Sequence, residues 1–306
     1  MSTSAPAYAP YPLVTDAATI GFVRTSLDGG TVVARHRPQR TSTRATLFLH
    51  GAAGSWTTWT PMLAAAEDAG IPIVNPVLFD LPGWGDATPP PGSAPLTLEI
   101  VCELVKDLAL ELGYTEWDIV GHSLGGFIAL HMASICPQSV LSVSLVSGTT
   151  WSVIESVERP WHGLRVIPGF VLLRFVMRLL ARVQPAALAV VRGLRALRLL
   201  RLTAIPLFRH TARVDATAIV AFATELRPRS FVAAGDVTLG YDADARWSLI
   251  ECPVRATKGD RDVFVVDSDL ARLERVLPGT VTAVIDDCGH FGNVERPNEV
   301  LAALGF

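Results

Sequence analysis

The stretch Asp118-Ile-Val-Gly-His-Ser-Leu-Gly-Gly-Phe127 decides how this chain folds. Its first residues follow Trp117 and are mostly apolar, as the residues of an interior parallel strand should be. Gly121-His-Ser-Leu-Gly125 then matches G-x-S-x-G, the pattern of a tight strand-to-helix turn that carries a serine. Such a turn strains the backbone at the serine, so the crowded positions two before and two after it favour residues without a Cβ. The stretch therefore predicts a strand, a sharp turn, and a helix with Ser123 at its N-terminus.

Composition bounds the fold class and excludes several kinds of function. The chain has 306 residues, of which half are apolar and 18% are charged, and its mean hydropathy is +0.36. These values indicate a large core or an apolar surface rather than disorder. The net charge of −3 gives no basic field for nucleic acid. The four cysteines are scattered, so a disulfide framework is not expected and a reducing cytoplasm is the default location.

Predicted strands and helices alternate along most of the chain, which indicates an α/β fold with a mostly parallel sheet flanked by helices. The predicted core covers residues 20–150 and 246–306, beginning with an antiparallel hairpin. Residues 151–245 lack a clean strand, and we expect them to form a helical cap inserted before the last two strands. The Pro-rich residues 1–19 are expected to be a flexible arm, and they lack the pattern of a signal peptide.

A serine nucleophile needs a base, and the base needs an acid that orients it. His290 follows the end of a predicted strand, on a loop at the sheet edge where a base should lie. The other histidines after the serine are less suitable, because His131 lies inside the helix behind it and the remaining two belong to the cap. The sequence therefore favours His290 as the base.

The acid is expected on the turn Lys258-Gly-Asp-Arg-Asp262, after the strand before the last. Asp262 is favoured over Asp260 because it lies further out and precedes Val263-Phe264, which could bury it against an imidazole. Asp260 stays an alternative acid, although it could instead cap the turn or pair with Arg261.

An oxyanion would need two backbone amides aimed at one point. We expect them from Leu124, which follows the serine, and from Ala52, in the loop after the strand that ends at His50. Gly51 and Gly54 would let that loop pass close to the elbow. Four further residues are candidates for contact with a substrate: His50, Trp56, Trp151 and Phe291.

Together these segments resemble the α/β-hydrolase superfamily in its capped form. The matching segments occur in the family's order: His50-Gly51, Asp80-Leu-Pro-Gly-Trp-Gly85, Gly121-His-Ser-Leu-Gly-Gly126, Gly259-Asp-Arg-Asp262 and Gly289-His290. The chain departs from the family at Ala87-Thr88, where a serine usually completes the second motif. The resemblance implies a triad of Ser123, Asp262 and His290. Epoxide hydrolases and haloalkane dehalogenases of this fold use an aspartate instead of the serine.

The resemblance implies a hydrolase that needs no cofactor, and the sequence contains no H-E-x-x-H, cysteine cluster or G-x-G-x-x-G, so no metal is expected either. It leaves the substrate open. We expect a carboxylic ester or thioester with an apolar acyl group, as in carboxylesterases and lipases, because the inner face of the cap is apolar. Two alternatives stay open: hydrolysis of a C–C bond in a diketone or dienoate acid, with Arg174 on the carboxylate, and a non-catalytic ligand-binding role.

The cap is rich in arginine, with eleven between Arg159 and Val214 and no acidic residue. Two sets have helical spacing: Arg174, Arg178 and Arg182, and Arg192, Arg195, Arg198 and Arg201. Each set would form one stripe on a helix. These arginines could pair with acids of the hydrolase core, bind an acidic substrate, or dock on an anionic membrane. A cytoplasmic location with peripheral membrane contact through the cap is therefore one expectation.

Overall fold

An eight-stranded sheet forms the centre of the protein in the computed structural model, which describes residues 7–89, 96–183 and 200–306. The strands are β1 Val23–Leu27, β2 Val32–His36, β3 Arg44–Leu49, β4 Pro76–Asp80, β5 Glu116–His122, β6 Val140–Val146, β7 Val254–Gly259 and β8 Val281–Ile285. Their order in the sheet is β1-β2-β4-β3-β5-β6-β7-β8. The pairs β1–β2 and β2–β4 are antiparallel and all the others are parallel, which confirms the mostly parallel sheet.

Helices fill the connections between the strands. They are α1 Thr60–Asp68, α2 Leu98–Glu111, α3 Leu124–Ile135, α4 Trp151–Glu158, α5 Pro160–Val166, α6 Pro168–Arg182, α7 Ala216–Thr224, α8 Pro228–Asp236, α9 Ala243–Trp247, α10 Asp267–Val276, α11 Gly292–Glu295 and α12 Pro297–Leu304. Short 3₁₀ helices lie at Ala17–Ile20, Asp28–Gly30, Trp56–Trp59, Leu200–Ala204 and Thr211–Arg213. The described helices include none with the length and apolarity that crossing a bilayer would require.

The central strands divide their side chains between two apolar cores, because successive residues of a strand point to opposite faces. Leu47 and Leu49 of β3 pack in a core with α2 and α3, whereas Phe48 between them packs in a second core with α1 and α12. The sheet is therefore buried on both faces. Polar side chains can be placed on the loops at the ends of its strands, which lie outside the two cores.

The cap lies between β6 and β7, before the last two strands, as the sequence predicts. Its expected first residue, 151, is the first residue of α4, and its expected last residue, 245, falls inside α9. The cap packs onto the core through two apolar clusters. In one of them Phe170 of α6 contacts Phe264, which follows β7, and in the other Phe208 and Phe222 contact Phe291.

The described part of the N-terminal segment, residues 7–19, is packed against the protein and is not the flexible arm that the sequence predicts. Tyr8 and Leu13 are 5% and 4% exposed and belong to an apolar cluster with the cap. The amide of Leu13 donates to Oγ1 of Thr217 at 2.8 Å, and the Tyr8 hydroxyl donates to Glu295 at 2.6 Å. Proline content suggested mobility, but the two large apolar side chains anchor the segment.

Candidate active site

Ser123 occupies the turn between β5 and α3 with a strained backbone. Its φ is 49° and its ψ is −117°, a conformation that side chains other than glycine rarely adopt. The flanking positions need glycine because a side chain there would collide with the backbone. A Cβ on Gly121 would lie 2.4 Å from the carbonyl oxygen of Gly125, and one on Gly125 would lie 2.0 Å from the carbonyl oxygen of Leu49. The backbone therefore holds the serine at the edge of the sheet between two crowded positions.

His290 and Asp262 form a hydrogen-bonded pair on the loops after β8 and β7. Both carboxylate oxygens of Asp262 lie 3.0 Å from Nδ1 of His290. The side chains are 5% exposed for the histidine and 0% for the aspartate. The carboxylate also accepts from the amides of Phe264 and Val265, at 2.8 and 3.2 Å, which fix its direction. Because an ionised carboxylate only accepts, Nδ1 carries the proton and Nε2 is left with a free lone pair.

Asp260, the alternative acid, has different partners. Its Oδ1 accepts from the amide of Cys288 at 3.0 Å, and its Oδ2 lies 3.3 Å from the guanidinium of Arg261. The residue therefore ties the loop after β7 to the loop that carries His290, and it is Asp262 that contacts the imidazole.

Glu295 positions the loop that carries His290, a role that no sequence motif indicates. Its buried carboxylate accepts from the amides of Gly289 and Phe291, which flank His290, at 2.9 and 3.1 Å. The Tyr8 hydroxyl and the amide of Arg209 donate to it as well, at 2.6 and 2.8 Å. Burial raises the pKa of Glu295. No local pattern could reveal this cluster, because one donor is 287 residues away in the chain.

His122, which precedes the serine, lies against the catalytic loop. Its Nε2 is 3.0 Å from the carbonyl oxygen of His290, so that nitrogen donates. Its ring packs 4.9 Å from the His290 ring and 4.4 Å from the Phe291 ring, centroid to centroid. Burial, reinforced by the neighbouring His290, lowers the pKa of His122 well below its ordinary value. The ring is therefore neutral and acts as a spacer between the elbow and the loop of the base.

Two backbone amides adjoin the serine without a protein acceptor. Ala52, in the loop after β3, and Leu124, the first residue of α3, line the same cavity as Ser123. In the described ranges neither amide donates to another group of the protein. Gly51 allows this approach, because a Cβ there would lie 2.6 Å from Nδ1 of His122 and 2.8 Å from Cβ of Ser123. The arrangement leaves two donors available for a negatively charged oxygen.

A cavity of about 310 Å³ opens above Ser123 and His290, and the cap supplies most of its walls. The lining residues from α6 and α8 are mainly apolar: Phe170, Leu173, Val176, Met177, Leu180, Phe231 and Ala234. Phe264, Val265 and Leu207 complete the apolar wall near the base. An apolar inner face of the cap is predicted from the sequence, but the individual lining residues are not, because the orientation of the cap helices depends on tertiary packing.

Among the four residues predicted to contact a substrate, only Phe291 lines this cavity. His50 is fully buried beneath the loop that carries Ala52. Its Nε2 accepts from the amide of Leu81 at 3.0 Å, and its Nδ1 donates to the carbonyl oxygen of Gly51 at 2.7 Å. Burial lowers the pKa of His50, so the ring is a neutral support for the loop rather than a substrate contact.

Trp56 and Trp151 do not line this cavity either, because both indoles are engaged elsewhere. Trp56 packs under the guanidinium of Arg35, 5.2 Å from the ring centroid. Trp151 packs against Trp247 at 4.7 Å, and its indole N–H donates to Asp244 at 3.0 Å. Aromatic residues near a motif were therefore core residues in both cases.

Arg174 is buried in the cap, behind the wall of the cavity. It is 4% exposed and donates to Asp236 of α8 at 2.5 Å, so its partner lies in the cap and not in the hydrolase core. Burial lowers its pKa. A Cβ on Gly235, which lines the cavity, would lie 3.0 Å from Nε of Arg174. Three arginines of the second predicted stripe, Arg192, Arg195 and Arg198, lie outside the described residues.

In the part of the chain that the structure describes, no group of three or more histidine, cysteine, aspartate or glutamate side chains is arranged to hold a metal ion. Ser123, His290, Ala52 and Leu124 all line the cavity.

The chain belongs to the α/β-hydrolase family, whose sequence profile matches residues 46–304. A 2-hydroxy-6-oxononadienedioate/2-hydroxy-6-oxononatrienedioate hydrolase from Paraburkholderia phymatum is 30% identical over 161 residues, which cover 51% of this chain and 54% of that protein. The aligned part spans about half the length, or less, of the first curated relatives that it matches.

Two solved structures illustrate the likeness of the fold. A putative lipase from Acinetobacter baumannii has a TM-score of 0.66 at 18% identity, with 96% of this chain and 95% of that one covered. A thermophilic esterase from Thermogutta terrifontis has a TM-score of 0.64 at 20% identity, with 92% and 96% covered. At these identities the likeness shows the shared fold.

Proposed function

We propose that this protein hydrolyses a carboxylic ester, or a thioester, whose acyl part is apolar. The observation that carries the proposal is the contact between Nδ1 of His290 and the buried carboxylate of Asp262, at the edge of a cavity that also contains Ser123. A serine on a strained turn, a base with a fixed tautomer and an orienting acid are the three parts that acyl transfer through a serine requires.

The first half of the reaction forms an acyl-enzyme. Oγ of Ser123 attacks the carbonyl carbon while Nε2 of His290 takes the hydroxyl proton. The amides of Ala52 and Leu124 donate to the oxyanion of the tetrahedral intermediate. His290 then passes its proton to the leaving alcohol or thiol as the bond to the acyl carbon breaks. Asp262 keeps the imidazole in the correct tautomer and stabilises its positive charge.

The second half releases the acid. Nε2 of His290 takes a proton from a water molecule, whose oxygen attacks the acyl carbon, and the same two amides hold the second oxyanion. Collapse of this intermediate breaks the bond to Oγ of Ser123, which recovers a proton from the imidazole. The apolar walls from α6 and α8 favour an apolar acyl chain, since burying it removes that chain from water.

A second candidate is hydrolysis of a C–C bond in a dienoate acid that carries a ketone. Two observations favour it: the 30% identity to the dienedioate hydrolase, and the buried Arg174 directly behind Gly235 at the cavity wall. A substrate carboxylate at that wall would be attracted by the guanidinium. The guanidinium already donates to Asp236, and this candidate is placed second for that reason.

Turnover of p-nitrophenyl esters of increasing acyl length tests the proposal, with the Ser123→Ala variant as the control. We expect kcat/KM to rise from acetate to longer chains and turnover to be lost in the variant. A 2-hydroxy-6-oxo-dienoate, followed by its absorbance, tests the second candidate. If the dienoate is hydrolysed and none of the esters is, the second candidate replaces the first. If neither kind of substrate is hydrolysed, a ligand-binding role is favoured.

A further inference from the structure

Exposed apolar side chains are concentrated in the cap segment that contains α5 and α6. Seven of the twenty exposed large apolar side chains of the described residues lie between residues 161 and 183. They are Trp161, Leu164, Leu172, Phe175, Val176, Leu179 and Val183, and we refer to them as the cap face. Trp161 is 83% exposed, and Leu172 and Phe175 are 62% and 58% exposed. Single exposed apolar residues are ordinary, but a cluster of this kind indicates a binding surface.

Helix α6 explains why the cap face exists. Residues 172, 175, 176 and 179 recur at helical spacing and form one outward stripe. Phe170, Leu173 and Met177 form a second apolar stripe, which faces the cavity. A helix that is apolar on both sides is normally buried on both sides. The described residues cover the inner stripe and leave the outer stripe of α6 exposed, so the outer stripe is available to a partner.

The charges around the cap face indicate what that partner is. From residue 159 to 183 the chain contains five arginines and one histidine, and no acidic residue: Arg159, Arg165, Arg174, Arg178, Arg182 and His162. Arg174 is buried, whereas the other four arginines are exposed. Arg178 is 3.8 Å from Asp236, and in the described part of the chain neither Arg165 nor Arg182 forms an ion pair. Among the described residues, the two exposed arginines Arg165 and Arg182 are therefore available to an anionic partner.

We propose that the cap face docks on an anionic lipid surface. Trp161, Leu172 and Phe175 would enter the boundary between headgroups and acyl chains, while Arg165 and Arg182 extend to lipid phosphates. Exposed aromatic and aliphatic side chains bordered by arginine have the composition of a helix that lies in a membrane interface. This surface goes beyond the proposed reaction, since docking would occur whatever the chemistry of Ser123.

The cap face and the cavity share α6, which links docking to substrate entry. Val176 belongs to both, because it is 39% exposed and also lines the cavity. Leu173 and Leu180, on either side of it, are half-buried and line the cavity as well. An apolar acyl chain leaving the bilayer would therefore pass over Val176 without crossing water. This last step rests on the proposed function, whereas the docking itself does not.

Tryptophan fluorescence tests the docking directly. The chain has seven tryptophans, and the six other than Trp161 are at most 5% exposed. We would mix the full-length protein with phosphatidylcholine vesicles containing about one third phosphatidylglycerol, some of them with brominated acyl chains. We expect a blue shift, quenching by the brominated lipid and protection of the indole from acrylamide. Trp161→Phe should still bind the vesicles but lose these signals.

Vesicle sedimentation with matched variants identifies the residues responsible. The apolar test is Leu172→Ser with Phe175→Ser, and the control is Leu249→Ser, which is 56% exposed outside the cap face. The charge test is Arg165→Gln with Arg182→Gln, and the control is the exposed Arg275→Gln on α10. Each arginine near an anionic surface contributes about a fivefold factor to partitioning, so the charge variant should bind roughly 25-fold more weakly. Turnover of short soluble esters should be unchanged in all four proteins.

Three results would overturn the proposal. One is a fraction of vesicle-bound protein that changes neither with lipid charge nor with salt between about 0.1 and 0.5 M. Another is a Trp161 indole that stays accessible to acrylamide when the vesicles are present. The third is light scattering that shows a dimer lost in Leu172→Ser with Phe175→Ser, which would assign the cap face to a second copy. A protein that binds the vesicles as expected but hydrolyses no ester would instead refute only the proposed function.

Discussion

Both carboxylate oxygens of Asp262 lie 3.0 Å from Nδ1 of His290, although 28 residues separate the two in the chain. The aspartate side chain is fully buried, and two backbone amides hold it in place. The pair therefore has a fixed geometry, and His290 lines the cavity that contains Ser123.

Asp262→Asn should abolish most of the ester turnover while leaving the fold intact. The amide would favour the wrong tautomer of His290 and could not stabilise the imidazolium, so kcat should fall by about 10⁴ with little change in KM. The matched control is Asp260→Asn, which keeps an acceptor for the amide of Cys288 and should change kcat by less than about threefold. Equal losses in the two variants would contradict the assignment of Asp262.

Glu295 should act as a positioning residue for His290. Glu295→Ala would leave several buried donors without an acceptor, so the free energy of unfolding should fall by about 3 kcal/mol or more. Tyr8→Phe, which removes one donor, should cost about 1 kcal/mol. Glu295→Gln should lower kcat roughly tenfold to a hundredfold with unchanged KM, because small displacements of a base are costly. Urea unfolding and steady-state kinetics check these values, and full activity of Glu295→Gln would exclude the positioning role.

Substitution at the inner stripe of α6 should alter the preference for acyl length. Leu173→Trp would fill part of the cavity, so kcat/KM for a long-chain ester should fall at least about tenfold relative to acetate. The neighbouring Leu172 points outward and is 62% exposed, which makes Leu172→Trp the control. Rates for a series of p-nitrophenyl esters provide the measurement. A preference unchanged in Leu173→Trp, or changed equally in both variants, would place the acyl chain elsewhere.

The buried His122 should make the protein less stable in mild acid. Burial holds its pKa well below the ordinary value, so the folded protein keeps it neutral while the unfolded chain protonates it below pH about 6.5. The unfolded state then binds more protons, and the free energy of unfolding should fall by about 1.4 kcal/mol per pH unit from this residue alone. Above pH about 6.5 the residue should have no effect.

Urea unfolding of the wild type and of His122→Asn, near pH 7.5 and near pH 5.5, would check this slope. The asparagine amide can still donate to the carbonyl oxygen of His290, so the variant should fold. Its stability should depend less steeply on pH by about that amount. Identical slopes for the two proteins would mean that His122 is protonated in the folded state.

The sequence predicted those parts of the site that local geometry dictates. Gly121 and Gly125 could be recognised because the elbow excludes a Cβ at both positions, and His290 because it follows a strand end. Whether His50, Trp56 and Trp151 face the cavity could not be predicted, since a side chain's direction depends on packing between distant elements. The contact of Tyr8 with Glu295 could not be predicted for the same reason. The same holds for the contact of Arg174 with Asp236, which lies inside the cap.

The most direct test of the account is covalent labelling of Ser123 with a fluorophosphonate probe. We expect rapid labelling of the folded wild type, a mass increase mapped to the peptide that contains Gly121-His-Ser-Leu-Gly125, and slower labelling in Asp262→Asn. Ser123→Ala should not be labelled. A folded wild-type protein that resists the probe, or one labelled at another residue, would contradict the claim that Ser123 is the nucleophile.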